Sequence, residues 1–444
     1  MTRAGALIGW LGIVRLGLIQ ASLGAVVVLA TSTLNRIMIV ELALPALIPG
    51  ALVGWHYGVQ LSRPRWGHGA DVGGRRSPWI FGGILTLAAG GTAAAASTAL
   101  MQSSFAAGFA AALAAFFVIG VGVGASGTNL LALLATRVPP ARKAAAAAIV
   151  WIMMIFGFVV TSIAAGALLD PFSMGRLIAV SAAVGVIAIV ITALALFGME
   201  HHERPAASAA RPQPFVPALK EVWRDPQARR FTLFVFVSMI AYSAQDLILE
   251  PLGGLLYDMT PGETTKLSGV QNGGVLLGMI ATAITGSTIG KSNARFMRSL
   301  TVLGCIASAF ALGALSYAAK TSGGVPLPPL VFTLGFANGA FAVAAIGSMM
   351  TLASAGAPGR EGMRMGVWGA AQAIAFGLGG FIGAVSFDLA RGFLHDPGNA
   401  FALVFSVEAA AFLAAAILAM RVGRTSADDL RLPAMPTVDA VAAE

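Results

Sequence analysis

Apolar runs separated by short polar breaks repeat along the whole 444-residue chain. A helix needs roughly 20 apolar residues to cross about 30 Å of hydrocarbon. Runs of that order fall near 8–34, 40–61, 78–100, 105–136, 144–169 and 177–198. Six more follow near 231–257, 267–290, 297–319, 327–355, 364–390 and 399–421, the tenth with a start blurred by Pro326, Pro328 and Pro329. The pattern predicts twelve membrane-spanning helices in two sets of six. Between the sets lies HHERPAASAARPQPFVPALKEVWRDPQARR (201–230), whose Pro, Ala and basic residues mark a linker with a short amphipathic stretch around Pro217 to Trp223. The expected division is a first half over 1–200, the linker over 201–230, a second half over 231–421 and a disordered tail over 422–444.

Composition places these helices in lipid. Hydrophobic residues make up 57% of the chain and charged ones 11%, where a soluble domain carries about 25% charged. The fold class is therefore an all-α polytopic membrane protein. A net charge of +9 in a soluble chain would suggest a nucleic-acid partner, but the placement of the charges excludes that reading. All but six of the 28 Lys and Arg residues lie in the termini, the linker or alternate loops. Arg36, Arg176, Lys266, Lys320 and Arg391 fall on the opposite side, and Arg15 lies inside the first span. By the positive-inside rule both termini and the linker are cytoplasmic. The first run is far longer than the apolar region of a signal peptide and lacks a convincing A-x-A site, so it is expected to remain as the first span. The single cysteine, Cys305, falls inside a span and leaves no disulfide framework or CxxC metal site within one chain.

The loop between the second and third spans reads RPRWGHGADVGGRRSPW (63–79). Its Gly67, Asp71, Gly74, Arg75 and Arg76, in the spacing G-x-x-x-D-x-x-G-R-R, resemble the loop signature of the major facilitator superfamily, with Val72 where an arginine is common. Glycines there permit a tight turn, and Asp71 can accept hydrogen bonds from helix N-terminal amides and pair with an arginine, forming a latch. The equivalent loop of the second half, GKSNARFMRS (290–299), is basic but lacks the acid. Two pseudo-symmetric halves predict a central cavity lined chiefly by spans 1, 4, 7 and 10, with ligand sites near the midplane. Glycines four apart, Gly50, Gly54 and Gly58, Gly274 and Gly278, Gly379 and Gly383, read as close contacts between the halves. The GPxxGG-type motif of drug/proton antiporters is missing from IVWIMMIFGFVVTSIAAGALLDP (149–171).

Three longer stretches narrow the resemblance. TSTLNRIMIVELALPALIPGALVGWHYGVQLSRPRWGHGADVGGRRSPWIFGG (31–83), LLALLATRVPPARKAAAAAIVWIMMIFGFVVTS (130–162) and YSAQDLILEPLGGLLYDMTPGETTKLSGVQNGGVLLGM (242–279) resemble the PucC/LhaA family of phototrophic bacteria, the bacteriochlorophyll delivery branch of that superfamily. The resemblance implies a membrane assembly factor for light-harvesting complexes that binds bacteriochlorophyll or delivers it to newly inserted antenna α/β polypeptides. It further implies contact with pigment-synthesis enzymes and the membrane insertion machinery, and residence in the bacterial cytoplasmic or intracytoplasmic photosynthetic membrane. Two other readings stay open: a proton-coupled secondary transporter of a small solute, and a pigment-free scaffold that escorts antenna peptides. No nucleophile beside a base, metal-binding triad or phosphate loop occurs in the sequence, so no enzyme is expected.

Ionisable groups inside a membrane are costly and mark functional or paired residues. Asp246 and Glu250 are four apart and share one face of span 7, with Gln245 beside them. Three roles compete for them: proton coupling, recognition of pigment or partner through hydrogen bonds or Mg²⁺, and a polar helix end shaped by Pro251, Gly253 and Gly254. Arg15, the basic residue well inside a span, is expected to pair with Asp246 or Glu250 across the cavity, while Arg36 and Glu41 flank the first outer turn and pair locally. His56, between Trp55 and Tyr57, is the histidine within a predicted span and a candidate chlorophyll ligand, although Gly54 and Gly58 place it near a packed seam. Gln20, Asn129, Gln271, Asn272, Asn338 and Gln372 are further candidate cavity liners.

Overall fold

A computed structural model of the chain describes residues 8–63, 66, 75–139, 142–199, 224, 226–288, 294–321, 324–354 and 361–421. The first half comprises α1 (Trp10–Glu41), α2 (Leu47–Val59), α3 (Ser77–Leu100), α4 (Phe105–Arg137), α5 (Lys143–Leu169) and α6 (Met174–Leu196). The second comprises α7 (Pro226–Leu256), α8 (Pro261–Thr288), α9 (Ala294–Lys320), α10 (Leu327–Ser354), α11 (Glu361–Leu394) and α12 (Pro397–Arg421). Among the described residues, eleven of these helices are long and apolar enough to cross a membrane. The exception is α2, 13 residues long and extended by a 3-10 turn at Gln60–Ser62. It is short because α1 continues past the predicted end at residue 34. Arg36 and Glu41 therefore lie within α1 rather than beside a turn, and they form an ion pair. The expected linker lies outside the described residues apart from Arg224 and the opening of α7, which Pro226 starts with a φ already suited to a helix. The expected tail also lies outside them.

Lipid cannot hydrogen-bond a backbone, so such apolar stretches satisfy their amides internally as helices. How the helices pack reveals the repeat. In the first half α1 packs on α5 and α6, α3 on α4 and α6, and α2 on α4. Six helices later the same pattern recurs: α7 packs on α11 and α12, α9 on α10 and α12, and α8 on α10. The halves meet along two seams, α2 with α11 and α5 with α8. The operation that exchanges the halves exchanges these seams as well. Each half keeps its own apolar core, with Leu247 of α7 joining the first and Ile39 and Ala46 joining the second.

Both Trp10 and Arg421 lie at one end of the bundle, termed the terminal end; the other is the distal end. There α1 and α7 stop in the same way. Leu44 N–H bonds the Met38 carbonyl at 3.0 Å, Met259 N–H bonds the Gly253 carbonyl at 3.2 Å, and the residues just before, Ala43 and Asp258, both have a φ of 50°. In both, the bond reaches back six residues over a left-handed residue, one position further than in a Schellman motif, and such an ending satisfies a helix-end carbonyl and turns the chain sharply.

The glycine expectation holds for one seam only. Gly50 sits against Ala384 and Gly54 against the Gly377 carbonyl, across the halves. Gly274 and Gly278 instead abut Phe332 and Phe336 of α10, and Gly379 and Gly383 abut Ile240 and Ala244 of α7, all inside the second half. A small residue admits any neighbouring backbone, so spacing alone could not say which.

Candidate functional site at the junction of the halves

Halfway along α1 the run TSTLNR interrupts the apolar sequence. Two π-helical turns, Leu29–Thr33 and Ile37–Glu41, flank its end, a local widening often found at functional positions. The polar side chains of this segment meet the second half. Ser32 and Ser268 each donate a hydroxyl to the same oxygen of Glu250 at 2.5 Å. Thr33 and Thr265 are joined at 3.2 Å. Arg36 donates to the Met259 carbonyl at 2.7 Å, at the left-handed ending of α7. Asn35 donates to the carbonyl of Leu247. That carbonyl lacks a helical partner because Pro251, four residues on, has no N–H. Proline does not end α7, which continues to Leu256.

Two acids tie the seams at the same end. Asp388 of α11 accepts the N–H groups of Ala46 (2.9 Å) and Leu47 (2.7 Å), at the first turn of α2. Asp170, just past α5, accepts the hydroxyl of Thr260 at 3.1 Å, immediately before α8. Gly262 in the first turn of α8 packs directly on the Asp170 carboxylate. Each acid stands at the positive end of a helix from the other half, where negative charge is favoured.

Nearer the middle of the bundle lies Asp246, half-buried and only loosely held, with Gln271 donating at 3.4 Å. The half-buried Tyr242 stands one helical turn before it on α7, and Tyr57 of α2 is half-buried as well. The rings of Tyr57 and Tyr242 both contact Phe376, at 5.9 and 5.7 Å between centroids. This cluster brings together α2, α7, α8 and α11, so of the four helices expected to line the site only α7 supplies a member. Asn129 and Asn338 turn inward within their own halves, onto Ala125 and Ser308. Gln20 donates to the Met154 sulfur at 3.2 Å.

The structure separates residues that the sequence grouped. Glu250, 1% exposed, belongs to the distal contact, whereas Asp246 is half-buried at the junction nearer the middle of the bundle. Gln245 is wholly buried inside the second half. The expected pairing of Arg15 with these acids is corrected: its guanidinium donates to the carbonyls of Ala195 and Phe197 at the end of α6. A cation there complements the negative end of the helix, and Arg15 lies too near the terminal end to reach the acids. His56 is 1% exposed, its Nδ1 2.7 Å from the Val53 carbonyl and its ring against Tyr57. In the loop signature only Arg75 and Arg76 are described; Gly67, Asp71 and Gly74 lie outside the described residues, and so does the expected Asp71 latch.

Two acids escaped the sequence reading. Asp388 and Glu408 each interrupt an apolar helix, in SFDLA and SVEAAAF, and the rule that singled out Asp246 applies equally to them.

Comparison with known proteins supplies the context. The family described as PUCC protein matches residues 33–427. A protein of Rhodobacter capsulatus named "Bacteriochlorophyll synthase 44.5 kDa chain" is 50% identical over 93% of this chain and 95% of its own length. "Protein PucC" of Rhodovulum sulfidophilum is 29% identical, covering 85% of each chain. Among solved structures, the peptide transporter POT in complex with sulfate superimposes with a TM-score of 0.68 at 15% identity, over 94% of this chain and 97% of that one. That likeness concerns the fold, which is the major facilitator fold of two six-helix halves.

Proposed function

The chain belongs to the PucC family, and on that footing we propose that it is an assembly factor for bacterial light-harvesting complexes that handles bacteriochlorophyll as cargo. The single observation that carries this reading is the match of 50% identity along nearly the whole chain to a relative named for bacteriochlorophyll. The word synthase in that name has no counterpart in this reading, in which the chain carries out no bond-making step. A transporter-type bundle supports handling rather than synthesis.

The junction around Asp246 offers chemistry suited to such a cargo. Aromatic faces from Tyr57, Tyr242 and Phe376 can stack on a flat macrocycle. The Gln271 amide N–H can donate to its carbonyls, and the Asp246 carboxylate can ligate its magnesium, a hard cation that prefers oxygen ligands. The bundle is tied at its distal end, so the cargo would enter from the terminal end or laterally. The Lys and Arg distribution supports a cytoplasmic terminal end, and the membrane on this reading is a phototroph's photosynthetic membrane. The partners on this reading are the antenna α/β polypeptides.

Gentle purification from a phototroph, with an absorption spectrum and identification of co-purifying peptides, tests it. Pigment together with antenna polypeptides is the expected result, with pigment reduced by Asp246→Asn. Antenna peptides in a colourless preparation would favour a scaffold. Neither, with proton-driven solute uptake in vesicles, would overturn the proposal in favour of a transporter.

A further inference from the structure

The interior of the second half carries polar atoms that nothing in it satisfies. Glu408 on α12 is 4% exposed, and neither of its carboxylate oxygens has a hydrogen-bond partner among the described residues. Both polar atoms of the buried Gln245 are also unpartnered. Asn338 accepts from Ser308 of α9 at 2.8 Å, yet its own amide nitrogen has no partner among the described residues.

These side chains share a depth. Tyr242 of α7 contacts Phe341 of α10 at 6.5 Å between centroids, and Phe341 meets Phe412 of α12 edge-on at 5.8 Å. One helical turn from each ring toward the distal end stand Gln245, Asn338 and Glu408 respectively. A polar layer thus rests on an aromatic one. Asp246 shares the turn of Gln245.

Among the described residues no basic side chain bonds to these acids. Lys and Arg are missing from 231–265, 299–319, 321–359, 365–390 and 392–420. Away from the helix ends, the other titratable groups on the surrounding helices are Tyr242 of α7, Cys305 of α9 and, nearer the distal end, Glu250 of α7, which Ser32 and Ser268 hold, and Asp388 of α11, which caps α2. An isolated carboxylate in a low-dielectric interior requires a positive partner. The donors available are oxygens, which suit hard cations and not soft metals.

We propose that this layer is a binding site for one small cation, a proton or an alkali ion, held by Glu408 with the side-chain oxygen of Gln245 and linked to the cargo junction through Asp246. The proposal stands whatever the cargo is. Occupancy would set the charge beside Asp246 and thereby tune that junction.

The full-length protein, purified in detergent, is tested in two arms. Infrared spectroscopy reads protonated carboxyl groups; a band present in the wild type and in Asp246→Asn, and lost in Glu408→Gln, assigns a proton. Thermal unfolding in sodium chloride against choline chloride reads an alkali ion; a midpoint that climbs with the logarithm of sodium concentration, and no longer does so in Glu408→Gln, assigns sodium. Should Glu408→Gln fail to fold, Glu408→Asp replaces it, with a displaced band or a weakened sodium response expected. Absence of both the band and the sodium response in the wild type overturns the site.

Discussion

The side chain of Asn35 donates to the carbonyl of Leu247, closing across the two halves a bond that Pro251 left open within α7. The pairing makes a specific double-mutant prediction. Asn35→Ala leaves a buried carbonyl unpaired and should destabilise by about 1 kcal/mol. Pro251→Ala restores the helical N–H to Leu247, so in that background the loss from Asn35→Ala should shrink. Thermal unfolding of the four proteins in one detergent checks it; equal losses in both backgrounds would refute the link.

Asp388→Ala removes the acceptor for two N–H groups at the start of α2, and loss of such a cap is expected to destabilise by about 0.5–2 kcal/mol. A cysteine pair across the α2–α11 seam near the distal end should also crosslink less completely in this variant. Unchanged crosslinking would show that the carboxylate does not hold the seam.

Ala43 has a φ of 50°, in the left-handed region where a side chain is strained. Glycine relieves that strain, so Ala43→Gly is expected to stabilise by up to about 1 kcal/mol, less the extra entropy of a glycine in the unfolded chain. The melting midpoint should rise slightly; a fall would mean that the Ala43 side chain contributes packing that outweighs the strain.

Arg15 and Asp246 should behave as independent positions. Arg15→Ala withdraws two hydrogen bonds from the end of α6 and should lower stability, while the pigment content set by Asp246→Asn should not depend on it. Additive effects on unfolding and pigment content are expected; mutual rescue by Arg15→Asp with Asp246→Arg would contradict the placement.

His56→Leu should reduce stability, because the imidazole is buried against Tyr57 and bonded to Val53. Pigment recovered per folded molecule should stay unchanged. A selective loss of pigment would instead make His56 a ligand.

Much of this architecture was legible from hydropathy. Each of the twelve predicted runs overlaps one of the twelve helices, eleven of which, among the described residues, are long and apolar enough to cross a membrane, since crossing hydrocarbon demands a long apolar stretch regardless of neighbours. The end of α1 was not, because Arg36 and Glu41 neutralise one another inside the helix and mimic a turn in sequence. Among site residues, Asp246 and Glu250 were visible as intramembrane acids. Their separation into a junction and a distal contact was not, because it depends on Ser32 and Ser268, ordinary hydroxyls distant in the chain. The partner of Arg15 was hidden for a similar reason: backbone carbonyls carry no sequence signature.

Asp170 and Asp388 fasten the distal end at two places related by the exchange of the halves. A bundle held at one such place could swing about it like a door. Held at both, it must release them together, so distal opening becomes a conjunction: a stimulus acting at one seam alone leaves the other locked, and only an event felt equally by both halves, such as cargo seated between them, can part them.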